Sequence, residues 1–235
     1  MRTRVVAVSL CLLASLAGAA DLRNLKMPLA DGDELRYGLS LPDGYIPGRS
    51  RPLVLALHPG GEPMVGYGSA FTRAVVVPAL AELGAIIVAP DCPTNAWTDD
   101  TSERAVMALL DRILRDFSVD RARVLVVGFS MGGRGTWFLS SRHPDLFTAA
   151  VPMAASTGGD PPERLARVPT YIIHSRDDQV VPFAPAERNA RALEALGRTV
   201  VFEPLETPTH FDMGAYIPAL RRAGAWVAAR WMSSR

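Results

Sequence analysis

Short apolar runs alternate with longer amphipathic stretches along most of the chain. The runs at 52–57, 85–89, 124–128, 149–153, 170–174 and 199–203 are continuous and rich in Val, Ile, Leu and Ala, as strands covered on both faces of a parallel sheet require. Between them, residues 102–117 place Val106, Leu109, Leu110, Ile113, Leu114 and Phe117 on one stripe, which predicts an amphipathic helix with Ser102 as its cap. Further helices are expected over 71–83, where Pro78 would kink the helix or delay its start, and over 131–142, 185–196 and 216–231. One segment has the other period: Asp33-Glu34-Leu35-Arg36-Tyr37-Gly38-Leu39-Ser40-Leu41 alternates polar with apolar and runs into Pro42-Asp43-Gly44, which reads as an antiparallel edge strand ending in a turn. Repeated strand–helix units imply an α/β fold, a mostly parallel sheet with helices on both faces, and a ligand site outside the carboxyl ends of the strands. No repeat or linker divides residues 21–235, which are expected to form one domain.

One junction breaks the alternation. In Val124-Leu125-Val126-Val127-Gly128-Phe129-Ser130-Met131-Gly132-Gly133 a buried strand meets Gly-x-Ser-x-Gly and turns at once into a helix. A corner this tight needs small residues two before and two after the serine, and it leaves the hydroxyl above the strand ends beside the first free amides of the helix. The five residues alone are a weak signal, matched equally by a glycine-rich turn capped with serine. The strand–turn–helix context favours a nucleophile.

A serine hydroxyl needs a base within hydrogen-bond reach and an acid to hold that base in one tautomer. Of the four histidines, His58, His143 and His174 close strands or a helix, where a polar group has a structural explanation. His210 stands in the loop Pro208-Thr209-His210-Phe211-Asp212-Met213, where no packing pattern calls for imidazole, so it is the expected base. The acid is expected after the strand at 170–174, where Asp177 and Asp178 are adjacent and spacing does not choose between them. Asp120, Asp145 and Asp160 fall in turns, where local hydrogen bonding accounts for aspartate. The order serine, aspartate, histidine suits this fold. His58-Pro59-Gly60-Gly61 ends an early strand where a second oxyanion donor would be needed, the first being the Met131 N–H.

With these residues in place, the chain resembles the secreted esterases and predicted peptidases of the α/β-hydrolase superfamily, close to the phospholipase/carboxylesterase and dienelactone-hydrolase-like groups. Gly128-Phe129-Ser130-Met131-Gly132-Gly133 with Gly135-Thr136-Trp137, and Ala89-Pro90-Asp91-Cys92-Pro93 with Trp97 upstream, carry the resemblance over nearly the whole chain after residue 20. It implies the α/β-hydrolase fold with a minimal lid, Ser130 as nucleophile and His210 as base. Aligning His174-Ser175-Arg176-Asp177-Asp178-Gln179-Val180-Val181-Pro182 with the family's His-Gly-x-x-Asp-x-x-Val-Pro puts Asp178 on the acid. Two positions depart from the pattern: Ser175 replaces a glycine, and Pro59 replaces the first glycine after His58. Pro59 has no N–H, so the donor is expected from Gly60, with Gly61 second. Serine as the nucleophile, where dienelactone hydrolysis uses cysteine, argues against that reaction itself.

Composition narrows the setting. Met1-Arg2-Thr3-Arg4, the apolar stretch from Val5 to Leu16 and Ala17-Gly18-Ala19-Ala20 read as a secretory signal peptide over 1–20, so the protein is expected to be exported to the periplasm or the medium. Without Arg2 and Arg4 the net charge falls from +1 to about −1, which gives no reason to expect nucleic acid or stable membrane insertion. Cys92 is then the sole cysteine, so no internal disulfide is expected. No His, Cys and carboxylate cluster has metal-ligand spacing, and neither metal nor other cofactor is expected. Trp97 is a candidate wall of the substrate pocket, with core packing beneath its loop as the alternative, and Trp137 reads as core. The expected chemistry is ester hydrolysis through an acyl-enzyme at an open site, on short-chain, aryl or carbohydrate-linked esters. Peptide cleavage or acyl transfer would use the same intermediate, and a binding protein on a retired hydrolase fold would have lost a member of the Ser130, Asp178, His210 set.

Overall fold

The computed structural model describes residues 22–30, 32–62 and 64–233, so the signal peptide expected at 1–20 lies outside the described residues. Strands β1 (Leu22–Pro28), β2 (Glu34–Ser40) and β3 (Arg51–Leu57) come first. A composite helical segment follows: α1 (Tyr67–Phe71), a π turn (Thr72–Val76), α2 (Val77–Leu80) and a 3₁₀ turn (Ala81–Leu83). Then come β4 (Ile86–Pro90), α3 (Asp100–Asp116), β5 (Val119–Phe129), α4 (Met131–Arg142), β6 (Ala149–Met153), β7 (Thr170–Ser175), α5 (Phe183–Ala195), β8 (Val200–Leu205) and α6 (Ile217–Ser233). The eight strands form one sheet in the order β1-β2-β4-β3-β5-β6-β7-β8, parallel from β4 to β8 and antiparallel where β2 meets β1 and β4.

Successive residues of the central strands feed opposite cores, as a pleated strand covered on both sides must. Val54 and Ala56 of β3, with Leu125 and Val127 of β5, pack among Phe71, Val76, Leu80 and Leu220, under the composite helix and α6. Leu53, Leu55 and Leu57, with Val124 and Val126, face Val106, Leu109 and Ile113 of α3. Among the described residues no helix is long and apolar enough to cross a membrane.

Three expectations need correction. β2 is antiparallel but is not an edge, because β1 pairs with it from Leu22↔Ser40 to Pro28↔Glu34. β1 escapes notice because only Met27 of its seven residues is buried, which leaves no alternation to read. The cap of α3 is Asp99 rather than Ser102: the Asp99 carboxylate accepts the Ser102 N–H at 2.9 Å, so the helix starts two residues early. Pro78 does not delay its helix, which is already under way at Tyr67. The preceding turn widens to a π turn, in which the Val77 N–H reaches back to the Thr72 carbonyl, and Pro78 then falls in the first turn of α2, where its missing N–H is harmless.

Candidate active site

Parallel β3, β5 and β7, with β8 beside β7, deliver their following loops to one end of the sheet. Ser130 sits in the corner between β5 and α4 with φ 54° and ψ −114°, a left-handed conformation rare for a residue with a side chain. The corner is pinned on both sides: the Ser130 N–H donates to the Met153 carbonyl at 2.9 Å and its own carbonyl accepts the Arg134 N–H at 2.9 Å. The flanking glycines are obligatory for space. A Cβ at Gly128 would overlap the Gly132 carbonyl, and one at Gly132 would overlap the Leu57 carbonyl oxygen.

His210 arrives on the loop after β8, with its imidazole buried and its ring centroid 5.3 Å from that of Phe129. Its Nδ1 lies 2.8 Å from Asp178 Oδ2 and its Nε2 lies 2.8 Å from Ser130 Oγ. An ionised carboxylate only accepts, so Nδ1 carries the hydrogen and the Nε2 lone pair is left to receive the serine O–H. Asp178 is buried on the loop after β7, and its other oxygen accepts the Val180 and Val181 N–H groups at 2.9 and 2.7 Å. Asp177 is exposed and turned away, with its N–H donating to Ser175 Oγ. Ser175, in the place of the family glycine, thus uses its hydroxyl to brace the turn that presents Asp178. His174 is fully buried; its Nε2–H donates to the Val181 carbonyl at 2.9 Å and lies 3.5 Å from Asp178 Oδ2.

Gly60, on the loop after β3, lies beside Met131, so that a Cβ there would stand in ordinary contact with the methionine Cβ at 3.6 Å. Neither the Gly60 N–H nor the Met131 N–H has an acceptor among the described residues. A Cβ at Gly61, which has φ 149°, would lie 3.3 Å from the Tyr67 hydroxyl. A cavity of about 320 Å³ opens over Ser130 and His210, walled by Pro59, Tyr67, Phe129, Val180, Phe211 and Met213. A second, of about 440 Å³, shares Pro59, Gly60 and Tyr67 with it and extends past Gly61 toward Arg36, Asp91 and Asn95.

Trp97 is not a wall of either cavity. Its side chain is 1 % exposed, its indole N–H donates to the His58 carbonyl at 2.9 Å, and its ring packs against Gly135 of α4, so it supports the loop from beneath. The walls that sequence reasoning missed, Tyr67, Val180, Phe211 and Met213, lie on three separate segments. Only Phe211 carried a signal in the sequence, as a large apolar residue beside His210; in the fold it is 76 % exposed. Among the described residues no group of three or more His, Cys, Asp or Glu could hold a metal ion.

Comparisons with known proteins bear on the family and the fold. The model of the dienelactone hydrolase family matches residues 74–210. Feruloyl esterase C of Emericella nidulans is 29% identical over 156 residues, 62% of this chain and 56% of that protein. Cutinase 2 of Thermobifida cellulosilytica is 31% identical over 144 residues, 56% of this chain and 52% of that one. The chain thus spans about half the length of the curated relatives it matches. Among solved structures, a thermostable esterase superposes with a TM-score of 0.74 at 28% identity, over 89% of this chain and 62% of that one. A ferulic acid esterase superposes at 0.71 and 18% identity, over 89% and 98%, which establishes the shared α/β-hydrolase fold.

Proposed function

Because the chain belongs to the dienelactone hydrolase family, we propose that it hydrolyses carboxylic esters through a covalent acyl-enzyme on Ser130. The observation that carries this reading is the single imidazole of His210 spanning 2.8 Å to Ser130 Oγ on one side and 2.8 Å to Asp178 on the other. In the first half-reaction Oγ bonds to the substrate carbonyl carbon while its proton passes to His210 Nε2. Asp178 stabilises the imidazolium that results. The carbonyl oxygen, now an oxyanion, takes hydrogen bonds from the Gly60 and Met131 amides, which are otherwise unengaged. Collapse breaks the bond to the alcohol, which leaves with the Nε2 proton. Water then gives a proton to Nε2 as its oxygen bonds to the acyl carbon, and collapse breaks the bond to Oγ, which takes the Nε2 proton back as the carboxylic acid leaves.

Serine as nucleophile favours simple esters over dienelactones. The apolar walls near Ser130 fit an aryl or short acyl group, and feruloyl esterase and cutinase among the relatives point the same way. Small-molecule or carbohydrate-linked esters outside the cytoplasm are the expected substrates, and the signal-like sequence at 1–20 supports export. The test is fluorophosphonate labelling alongside p-nitrophenyl acetate hydrolysis. Wild type should label and turn over, whereas Ser130→Ala should do neither; labelling that persists in the variant would sink the assignment.

A further inference from the structure

The loop that carries Gly60 begins where β3 ends, so no strand ladder fixes its peptides, and Pro59-Gly60-Gly61 is a sequence with freedom to rotate. Yet three successive carbonyls of this loop are each held by a side chain from a different place. The His58 carbonyl accepts the Trp97 indole N–H at 2.9 Å, the Pro59 carbonyl faces His58 Nδ1 at 2.7 Å, and the Gly60 carbonyl accepts the Tyr67 hydroxyl at 3.1 Å. A trans peptide is planar with C=O and N–H on opposite sides, so holding the Pro59 oxygen sets the direction of the Gly60 hydrogen.

We propose that His58 is a positioning residue for ester hydrolysis, holding the Pro59 carbonyl through Nδ1–H and thereby aiming the Gly60 amide at the reacting oxygen. The inference rests on the esterase reading above and adds a residue to it. Only one tautomer serves. The Cys92 backbone N–H donates to His58 Nε2 at 2.9 Å, and since an amide N–H cannot accept, Nε2 must offer its lone pair and Nδ1 must carry the hydrogen. The ring has no room to flip: it is 5 % exposed, stacked on Tyr67 at 4.3 Å with planes 19° apart, and met edge-on by Trp97 at 5.1 Å. A buried histidine satisfied at both nitrogens is ordinarily a packing feature. Here one nitrogen is spent on the peptide that bears the oxyanion donor, and the other is spent on selecting the tautomer that can do so.

The test compares His58→Phe, which keeps a flat ring for Tyr67 but no nitrogen, with His58→Asn, whose carboxamide N–H can stand near the Nδ1 position. Fluorophosphonate end-point titration counts competent sites, and p-nitrophenyl acetate hydrolysis is then expressed as kcat per titrated site. His58→Phe is expected to lose about a hundred- to a thousandfold in kcat per site, the usual effect of losing one oxyanion donor, with KM changed less than about threefold. His58→Asn should recover at least about tenfold of that loss. A merely structural role would lower the number of competent sites and leave the rate of each intact. Per-site kcat of His58→Phe within about threefold of wild type would overturn the proposal. If that variant fails to fold, His58→Gln against His58→Asn decides: Gln, reaching the Cys92 side only, should be the slower, and equal rates near wild type would overturn the proposal. A wild-type protein that neither labels nor hydrolyses would remove the esterase reading and this role together, whereas an active wild type with an unaffected variant removes this role alone.

Discussion

His58 and His174 close β3 and β7, and burial is the main cause that lowers the pKa of each. Hydrogen bonds to the Pro59 and Val181 carbonyls and the charges of Asp91 and Asp178 oppose that shift without cancelling it, and His210 adds to it at His174. Both rings are therefore neutral in the fold but titrate near the ordinary value of about 6.5 in the unfolded chain. Below that value the unfolded chain binds more protons than the fold, so stability rises with pH. Their contribution is complete above about pH 6.5 and is lost as pH falls through the depressed folded values. The melting temperature should accordingly decline as pH falls below about 6.5, and a flat profile there would show that neither ring is held neutral. At this scale the legible residues were those whose chemistry is scarce in the sequence: a serine in a glycine-flanked corner, and one histidine without a packing reason. Asp177 and Asp178 were not separable by spacing, because the choice is made by the turn in which Val180 and Val181 offer their amides to one carboxylate. For Trp97, pocket wall and core packing stayed open in the sequence, because its indole N–H finds its acceptor at His58, far away in the chain.

Among the elements, the β5–α4 corner sets the tightest demand. Gly132→Ala would drive a Cβ into the Leu57 carbonyl, a backbone atom of the central strand that cannot rotate away. Overpacking of this kind costs typically about 1–3 kcal/mol and here should fall at the upper end or beyond, so urea unfolding should show a lower midpoint together with lost esterase activity. A variant with the wild-type midpoint would mean that α4 can slide on β3. Helix α4 and strand β6 are as expected from the apolar pattern, since both are buried and sharply bounded. Where an element is positioned by a side-chain cap or a pairing partner, the pattern misleads: α3 begins early because of Asp99, and β1 exists because β2 had an open edge.

For the whole molecule, alternation of strands and helices was enough to read an α/β sheet, and the loop cluster at its carboxyl ends followed from that. The strand order was not readable, because β3 pairs with β4 on one side and β5 on the other through crossovers that leave no local mark. The cavity over Ser130 is small, about 320 Å³, and Phe211 stands largely in solvent at its rim. Pockets of a few hundred Å³ enclose small ligands, so a p-nitrophenyl ester series should peak between acetyl and butyryl and fall at least about tenfold by palmitoyl. Preference for the longest chain would refute an open, shallow site. The backbone hydrogen of Cys92, accepted by His58, joins the exits of β4 and β3. Every amino acid except proline brings that hydrogen to any position, so exchanging the sulfur at 92 leaves this particular tie between the strands in place, whereas proline would sever it.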